Sequence, residues 1–171
     1  MSLIIRPFRL LLKALLVEAT PGQLAFGFAF GILIGLVPKG NLTAISLGVI
    51  LAASRANLGV AGATALAFSF VSPYCDPLSH RIGEWLLGHP SLKDMWTRLY
   101  NTPVMPWTDF NNTVVLGSLV LGIALLYPAY RITRPVFGHY TERVQKWAKK
   151  FRLTRLLMGV EWADRLGASG S

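Results

Sequence analysis

Five polar residues lie at turns between apolar segments, and their side chains are of the types that bind anions. They are Lys39, Asn41, Arg55, Asn57 and Ser72. Two are cations, and three offer amide or hydroxyl donors. Helices predicted after these turns would add N-terminal N–H groups, which favour an anion. The pattern predicts a site for an anionic lipid headgroup or a phosphate-bearing solute. The alternative is that the two cations only extend from helix ends to the headgroup layer.

A second set of residues has the spacing of a catalytic group. Asp76, His80 and Glu84 are four residues apart, so one helical face would carry a carboxylate, an imidazole and another carboxylate. The sequence contains no H-E-x-x-H, no G-x-S-x-G and no phosphate-binding loop. We therefore expect no catalytic residues, no metal site and no cofactor. A membrane enzyme that uses Asp76 and His80 is the least favoured alternative.

The elements that must position these residues are unusually apolar. Of 171 residues, 53% are hydrophobic and only 15% are charged. Soluble domains carry about 25% charged residues, so little polar surface is left to cover such a chain in water. The composition predicts a single small membrane protein. The alternative is a soluble all-helical protein with a large apolar core.

The predicted fold is all-α: a small polytopic membrane protein with short transmembrane or re-entrant helices plus amphipathic surface helices at both ends. Thr20 and Gln23 can form a capping box around Pro21, and Pro73 is expected to end the third helix. The membrane domain covers 20–130, with helices at about 21–37, 42–54, 58–71 and 113–130 and a polar extracytoplasmic loop at 73–112, in which short helices have room to form at roughly 78–87 and 91–100. Helices this short leave two models open: four crossings, or two crossings plus a re-entrant hairpin.

The two ends of the chain are basic. Residues 1–19 are predicted to form an amphipathic interfacial helix, and 131–171 a basic amphipathic cytoplasmic segment. The basic residues expected at the membrane surface are Arg6, Arg9, Lys13, Lys146, Lys149, Lys150 and Arg152. Cations beside the outermost spans indicate that both termini are cytoplasmic. The net charge of +9 is therefore attributed to the lipid bilayer as partner, and no nucleic acid is expected.

Small residues recur along the first predicted span. Gly27, Gly31 and Gly35 fall on one stripe of a helix, and Ala25 and Ala29 widen it. In lipid, helices associate through close backbone approach, which glycine permits. The stripe predicts a packing surface against residues 42–71. The small surfaces expected there are Gly48, Gly59 and Gly62. Self-association with a second copy is the alternative.

The segments TPGQLAFGFAFGILIGLVPKGN and ASRANLGVAGATALAFSFVSPYCDP together resemble a bacterial membrane family of unknown function. Its signature is A-x-G-F-A-x-G-x-x-x-G-x-x-P, followed by an R-x-N turn and an N-P or S-P turn. The likeness covers about 18–130, with Ser72 standing where asparagine is commoner. The resemblance implies a multi-pass protein of the bacterial inner membrane and implies no activity. It also implies that short members accompany a larger membrane-anchored envelope protein.

These observations favour a non-enzymatic integral membrane protein that acts as a scaffold or subunit for a larger cell-envelope partner. The alternative is a component that handles lipid or a small solute and binds an anionic headgroup at the polar turns. Broken helices that meet at such turns form the binding sites of many transporters.

Overall fold

The structure is a computed structural model that describes residues 19–150, of which 142–150 are described by their backbone alone. Within that part of the chain there are helices and turns and no β-strand, so the all-α fold class is confirmed. The α-helices are α1 (Pro21–Leu36), α2 (Leu42–Ala53), α3 (Leu58–Gly88), α4 (Lys93–Tyr100) and α5 (Thr113–Lys150). Short 3-10 helices occupy Pro90–Leu92 and Met105–Thr108. The predictions for 1–18 and 151–171, including Arg6, Arg9, Lys13 and Arg152, lie outside the described residues.

The first three helices begin where side-chain caps satisfy their free N–H groups. In α1, the Thr20 hydroxyl accepts from the Gln23 backbone N–H at 3.3 Å, and the Gln23 side chain accepts from the Thr20 N–H at 2.9 Å. Asn41 and Asn57 cap α2 and α3 through their side-chain oxygens. These caps are readable in the sequence because each places an oxygen three residues before an amide that has no helical partner.

The third and last helices end later than the sequence predicts. Helix α3 continues through Pro73 and Pro77, and α5 continues through Pro128 and Pro135. A proline in a helix removes one hydrogen bond and costs about 3 kcal/mol, which is why residue 71 was expected to be an end. Contacts with neighbouring helices lie on both sides of Pro73 in α3, and this packing overrides the local preference. Much of the expected loop at 73–112 is therefore helical.

Helix α1 lies inside a bundle with α3 and α5. It runs parallel to α3, since Gln23 and Leu36 at its two ends are hydrogen-bonded to Asn57 and Ser72 respectively. It runs antiparallel to α5, since Gly22 lies beside Tyr130 while residues nearer its other end meet earlier parts of α5. Helix α2 connects the C-terminal end of α1 to the start of α3. Because α1 and α3 are parallel, α2 runs in the opposite direction along the side of the bundle.

Many large apolar side chains of the bundle lie on its outer surface. Ala25 and Ala29 of α1 are fully buried, whereas α2, α3 and α5 expose large apolar side chains. The most exposed are Ile45 and Val49 on α2, Leu66, Phe70, Tyr74 and Trp85 on α3, and Tyr127, Ile132 and Val136 on α5. Two helices, Leu58–Gly88 and the part Thr113–Thr141 of α5, are long and apolar enough to cross a membrane. Only 11% and 28% of their most apolar stretches are buried within the bundle.

Candidate functional site

Lys39 closes the C-terminal end of α1. Its ammonium group donates hydrogen bonds to the carbonyl oxygens of Ile34, Gly35 and Val37 at 2.7, 3.1 and 2.6 Å. The last carbonyls of a helix have no partner inside the helix, and lysine near a C-terminus can satisfy them. All three donors of the ammonium are thus directed at backbone oxygens. This arrangement leaves Lys39 poorly placed to hold an anion.

The protonation of Lys39 is subject to two opposing effects. Partial burial of the amine lowers its pKa below the usual 10.5, because burial disfavours the charged form. The three carbonyl oxygens around the amine favour the charged form and oppose that shift. The position of the ammonium at the C-terminal end of α1, where the helix dipole is negative, also favours its charged form.

Ser72 completes the same helix end from α3. Its hydroxyl donates to the carbonyl oxygen of Leu36 at 3.0 Å and lies 3.4 Å from a carboxylate oxygen of Asp76. The next turn is organised by Asn41, whose side chain is 4% exposed. The Asn41 amide donates to the carbonyl of Pro38 at 3.1 Å, and its oxygen accepts from an α2 N–H at 2.9 Å. These polar groups serve the backbone of the turn.

Arg55 and Asn57 lie at the opposite end of α1. The Asn57 backbone N–H donates to the Gln23 carbonyl in the first turn of α1, at 3.1 Å. Helix α1 has 16 residues and is about 24 Å long. The five residues predicted to form one anion site therefore fall into two groups, with Lys39, Asn41 and Ser72 at the far end. The Arg55 guanidinium is exposed and makes no hydrogen bond or ion pair within the described residues.

The glycine stripe of α1 lies directly against α3. A Cβ added at Gly27 or Gly31 would lie 2.6 Å from the carbonyl oxygen of Asn57 or Ala61, closer than real Cβ atoms approach. At Gly35 the added atom would lie 2.9 Å from the Ala65 carbonyl oxygen. The stripe thus packs within one chain. The small surfaces expected opposite it at Gly48 of α2 and Gly62 of α3 face open space, and α3 instead presents Asn57, Ala61 and Ala65 to α1.

A second glycine contact joins α3 to α5, and the sequence reasoning missed it. A Cβ at Gly117 would overlap the carbonyl oxygen of Ser79, and one at Gly83 would overlap that of Thr113. Gly122 makes a similar approach to Leu33 of α1. The available signal was the pair of small residues four apart in α3, Ser79 and Gly83, together with the small residue Gly117 of α5. The sequence predicts a short helix at roughly 78–87 that contains Ser79 and Gly83, but it places that helix in a polar loop outside the membrane, so its contact with the last span is not foreseen.

The candidate catalytic set is divided between two contacts. The His80 ring nitrogen Nδ1 is hydrogen-bonded to the Thr113 hydroxyl of α5 at 2.6 Å, and Nε2 lies 3.9 Å from a Glu84 carboxylate oxygen. Asp76 is instead directed at Ser72. Within residues 19–141, no group of three or more His, Cys, Asp or Glu side chains is arranged to hold a metal ion. His80 therefore links two helices.

Two open grooves occur elsewhere on the surface. One of about 470 Å³ lies between the start of α1 and α5 and is lined in part by Pro21 and Arg134. The other, of about 320 Å³, is lined in part by Lys93, Trp96 and Tyr100. Neither contains any of the five residues predicted to bind an anion.

The fold and these contacts define a class: a small helical bundle held by glycine contacts, with two helices of membrane-spanning length. The chain belongs to DUF2062, a family of uncharacterized proteins conserved in bacteria, whose model matches residues 6–146. It is also 29% identical over 130 residues to a protein of Treponema pallidum (strain Nichols) described as uncharacterized, which covers 76% of this chain and 80% of that relative. No solved structure matches. The resemblance to a bacterial family of unknown function is confirmed.

Proposed function

We propose that this protein is a non-enzymatic, multi-pass protein of the bacterial inner membrane that serves as a scaffold or subunit for a larger envelope partner. The observation that carries the proposal is the outward direction of its apolar side chains. Phe70 of α3 is 74% exposed and Tyr127 of α5 is 70% exposed, on the two helices of spanning length. A soluble bundle would turn such side chains inward, whereas lipid solvates them.

The interior contacts suit the same environment. Gly31 and Gly117 bring helix backbones together without large apolar side chains between them. Lipid tails are as apolar as leucine, so helices in a bilayer gain little from burying such side chains and associate by close packing. The exposed apolar side chains and the glycine contacts therefore both favour lipid as the surroundings of the bundle.

The distribution of charge supports an orientation. Arg134 lines a groove with the first residues of α1, and Arg55 lies near Asn57, which is bonded to that end of α1. The later part of α5 adds Arg131, Arg143, Lys146, Lys149 and Lys150, whereas the cations toward the opposite end of α1 are Lys39, Arg81, Lys93 and Arg98. Arginine is enriched on the cytoplasmic side of bacterial membranes. We therefore place both ends of the described chain in the cytoplasm and the turn at 89–112 outside it.

A subunit role is favoured over catalysis or transport by how the polar residues are used. Lys39, Asn41 and Ser72 satisfy backbone groups at helix ends, and His80 is hydrogen-bonded to Thr113. Residues engaged in this way support the fold. The exposed surfaces of α2, α3 and α5 are then available to lipid and to a neighbouring protein.

The orientation can be tested with the one native cysteine. Cys75 is partly exposed on α3, three residues beyond the Ser72–Leu36 contact. A membrane-impermeant thiol reagent should label Cys75 from the periplasmic side. In a Cys75→Ser background, Arg55→Cys should be labelled only after the membrane is opened to the reagent. The reverse pattern would contradict the proposed orientation.

The partner can be tested by crosslinking in intact membranes. A photoreactive residue at exposed Val49 or Tyr127, in turn, should capture a larger membrane protein that also co-purifies in mild detergent. The same chain without the photoreactive residue is the control. Recovery of the chain alone from both positions, with only lipid adducts, would contradict the subunit role.

Lipid handling is the second candidate, and the exposed guanidinium of Arg55 is the observation in its favour. If Arg55 holds an anionic headgroup, Arg55→Ala should reduce the anionic lipid that co-purifies, and Arg55→Lys should largely retain it. Arg98→Ala removes an exposed arginine from α4 and is the matched control. Equal lipid content in all three variants would contradict this candidate.

A further inference from the structure

A strained turn lies between α4 and α5. Val104 and Asp109 have φ values of 74° and 55°, and they flank the 3-10 helix Met105–Thr108. Positive φ is uncommon for any residue except glycine and is a true outlier for a β-branched side chain. Such residues cost about 1–3 kcal/mol each and persist where surrounding contacts hold them. The contacts that hold the turn, and the side chains that the turn presents, therefore indicate what this conformation is for.

The turn is fixed to the start of α2. The Thr43 hydroxyl donates to the Thr108 carbonyl oxygen at 2.6 Å, and the Thr108 hydroxyl donates to the Met105 carbonyl at 2.6 Å. On the other side, Phe110 is buried and its ring stacks on Trp96 at 5.8 Å between centroids. These contacts fix the C-terminal side of the turn to α2 and α4, and the Thr108–Met105 bond closes the 3-10 helix that follows Val104.

The held turn presents apolar groups to its surroundings. Val104 is 61% exposed and Trp107 is 77% exposed. The Trp107 side chain has no hydrogen-bond or ring partner within the described residues. An indole combines a large apolar ring with one N–H donor, which suits the boundary between lipid tails and water. Residues 102–108 also carry no charge, so a charged protein surface is not their complement.

The turn continues the apolar outer face of α2. Ile45 and Val49 of that helix are 62% and 63% exposed, and Thr43 at its first turn bonds to the strained segment. Helix α2 has 12 residues and is about 18 Å long, well short of a hydrocarbon core of about 30 Å. Interfacial aromatic residues are a common way to fix the depth of such a helix.

We propose that Val104–Thr108 is a membrane-interface anchor, with the Trp107 indole in the headgroup layer and Val104 at the boundary of the acyl chains. This inference rests on the proposed membrane function. The lipid surface is favoured over a second copy because the turn offers only two large exposed side chains. A stable protein interface needs about 1,000 Å² or more of buried surface.

The test uses the full chain in vesicles of phosphatidylethanolamine and phosphatidylglycerol. In a single-tryptophan protein, Trp85, Trp96, Trp147 and Trp162 are replaced by Phe. Lipids brominated near the headgroup should quench Trp107 fluorescence strongly, and lipids brominated near the bilayer centre should quench it less. A single-tryptophan protein that keeps only Trp96 is the matched control, because that indole is stacked on Phe110 and donates to the Leu86 carbonyl. Its quenching should be weaker.

The difference in quenching between the natural chain and Trp107→Leu gives the same information without four substitutions. Quenching of Trp107 by aqueous iodide but not by brominated lipid, in protein that floats with the vesicles, would overturn the anchor alone. Protection from both quenchers would also overturn it, since a protein partner or second copy would then cover the indole. Failure of the chain to float with the vesicles would overturn the membrane proposal as well.

Discussion

The hydroxyl of Ser72 donates a hydrogen bond to the carbonyl oxygen of Leu36 at 3.0 Å, joining α3 to the C-terminal end of α1. The contact immediately precedes Pro73, where a helix is expected to stop. It satisfies one of the last carbonyls of α1 and fixes α3 beside it. Helix α3 continues past this point to Gly88, and its later part supports the contact with α5.

Ser72→Ala should destabilise the protein by about 1 kcal/mol, because the Leu36 carbonyl loses its partner in a partly buried position. Thermal unfolding in a mild detergent measures the change. Ser69→Ala is the matched control, since that hydroxyl donates only to the Ala65 carbonyl of its own helix. Equal effects of the two substitutions would show that the contact between helices contributes nothing.

Lys39→Met should destabilise the protein by about 1–3 kcal/mol, since several carbonyl oxygens at the end of α1 lose a charged donor. Lys93→Met removes an exposed ammonium group that makes no hydrogen bond within the described residues and should have little effect. Both are followed by unfolding in detergent, with and without added phosphate. Stabilisation of the natural chain by phosphate, lost in Lys39→Met, would instead support the anion site.

Gly31→Ala should destabilise the bundle by about 1–3 kcal/mol, because its new Cβ would force α1 and α3 apart at the Ala61 carbonyl. Gly62→Ala is the same substitution in α3 at a position with nothing within 4 Å. Alanine is the better helix former by about 1 kcal/mol, so the control should be neutral or stabilising. A stabilising Gly31→Ala would contradict the packing of α1 on α3.

Gly117→Ala should likewise destabilise the protein, by a similar amount, because its Cβ would overlap the Ser79 carbonyl oxygen. Gly138 lies in the same helix α5 in open space and provides the control. Unfolding of Gly117→Ala and Gly138→Ala is compared under one detergent condition. If the two variants unfold alike, the close contact between α3 and α5 is absent.

The parts of this fold that could be predicted are those set by short-range chemistry. Thr20, Asn41 and Asn57 mark helix starts because each cap acts within three residues of its own position. The stripe of Gly27 and Gly31 is readable for a similar reason, since helical spacing alone places the two residues on one face. Its partner on α3 depends on how two distant segments meet, which spacing does not encode.

The parts that could not be predicted depend on contacts across the chain. Pro73 ends a helix by local rules, and the Ser72–Leu36 contact that accompanies its continuation spans 36 residues. Lys39 and Arg55 are both cations at turns and were grouped in one anion site for that reason, but they lie at opposite ends of α1. The proposed anion site relied on turns meeting at one place. The order of α1, α2 and α3 alternates the turns between the two ends of the bundle.

The most direct test of the central claim, that the outer faces of α3 and α5 are solvated by lipid, is the partition of the natural, untagged chain. After cell lysis, the chain should remain in the membrane fraction through an alkaline carbonate wash and be released only by detergent. Such a wash does not release integral helices, because the transfer of their apolar surface from lipid to water is unfavourable. Recovery of the chain as a monodisperse species in plain buffer would contradict the claim.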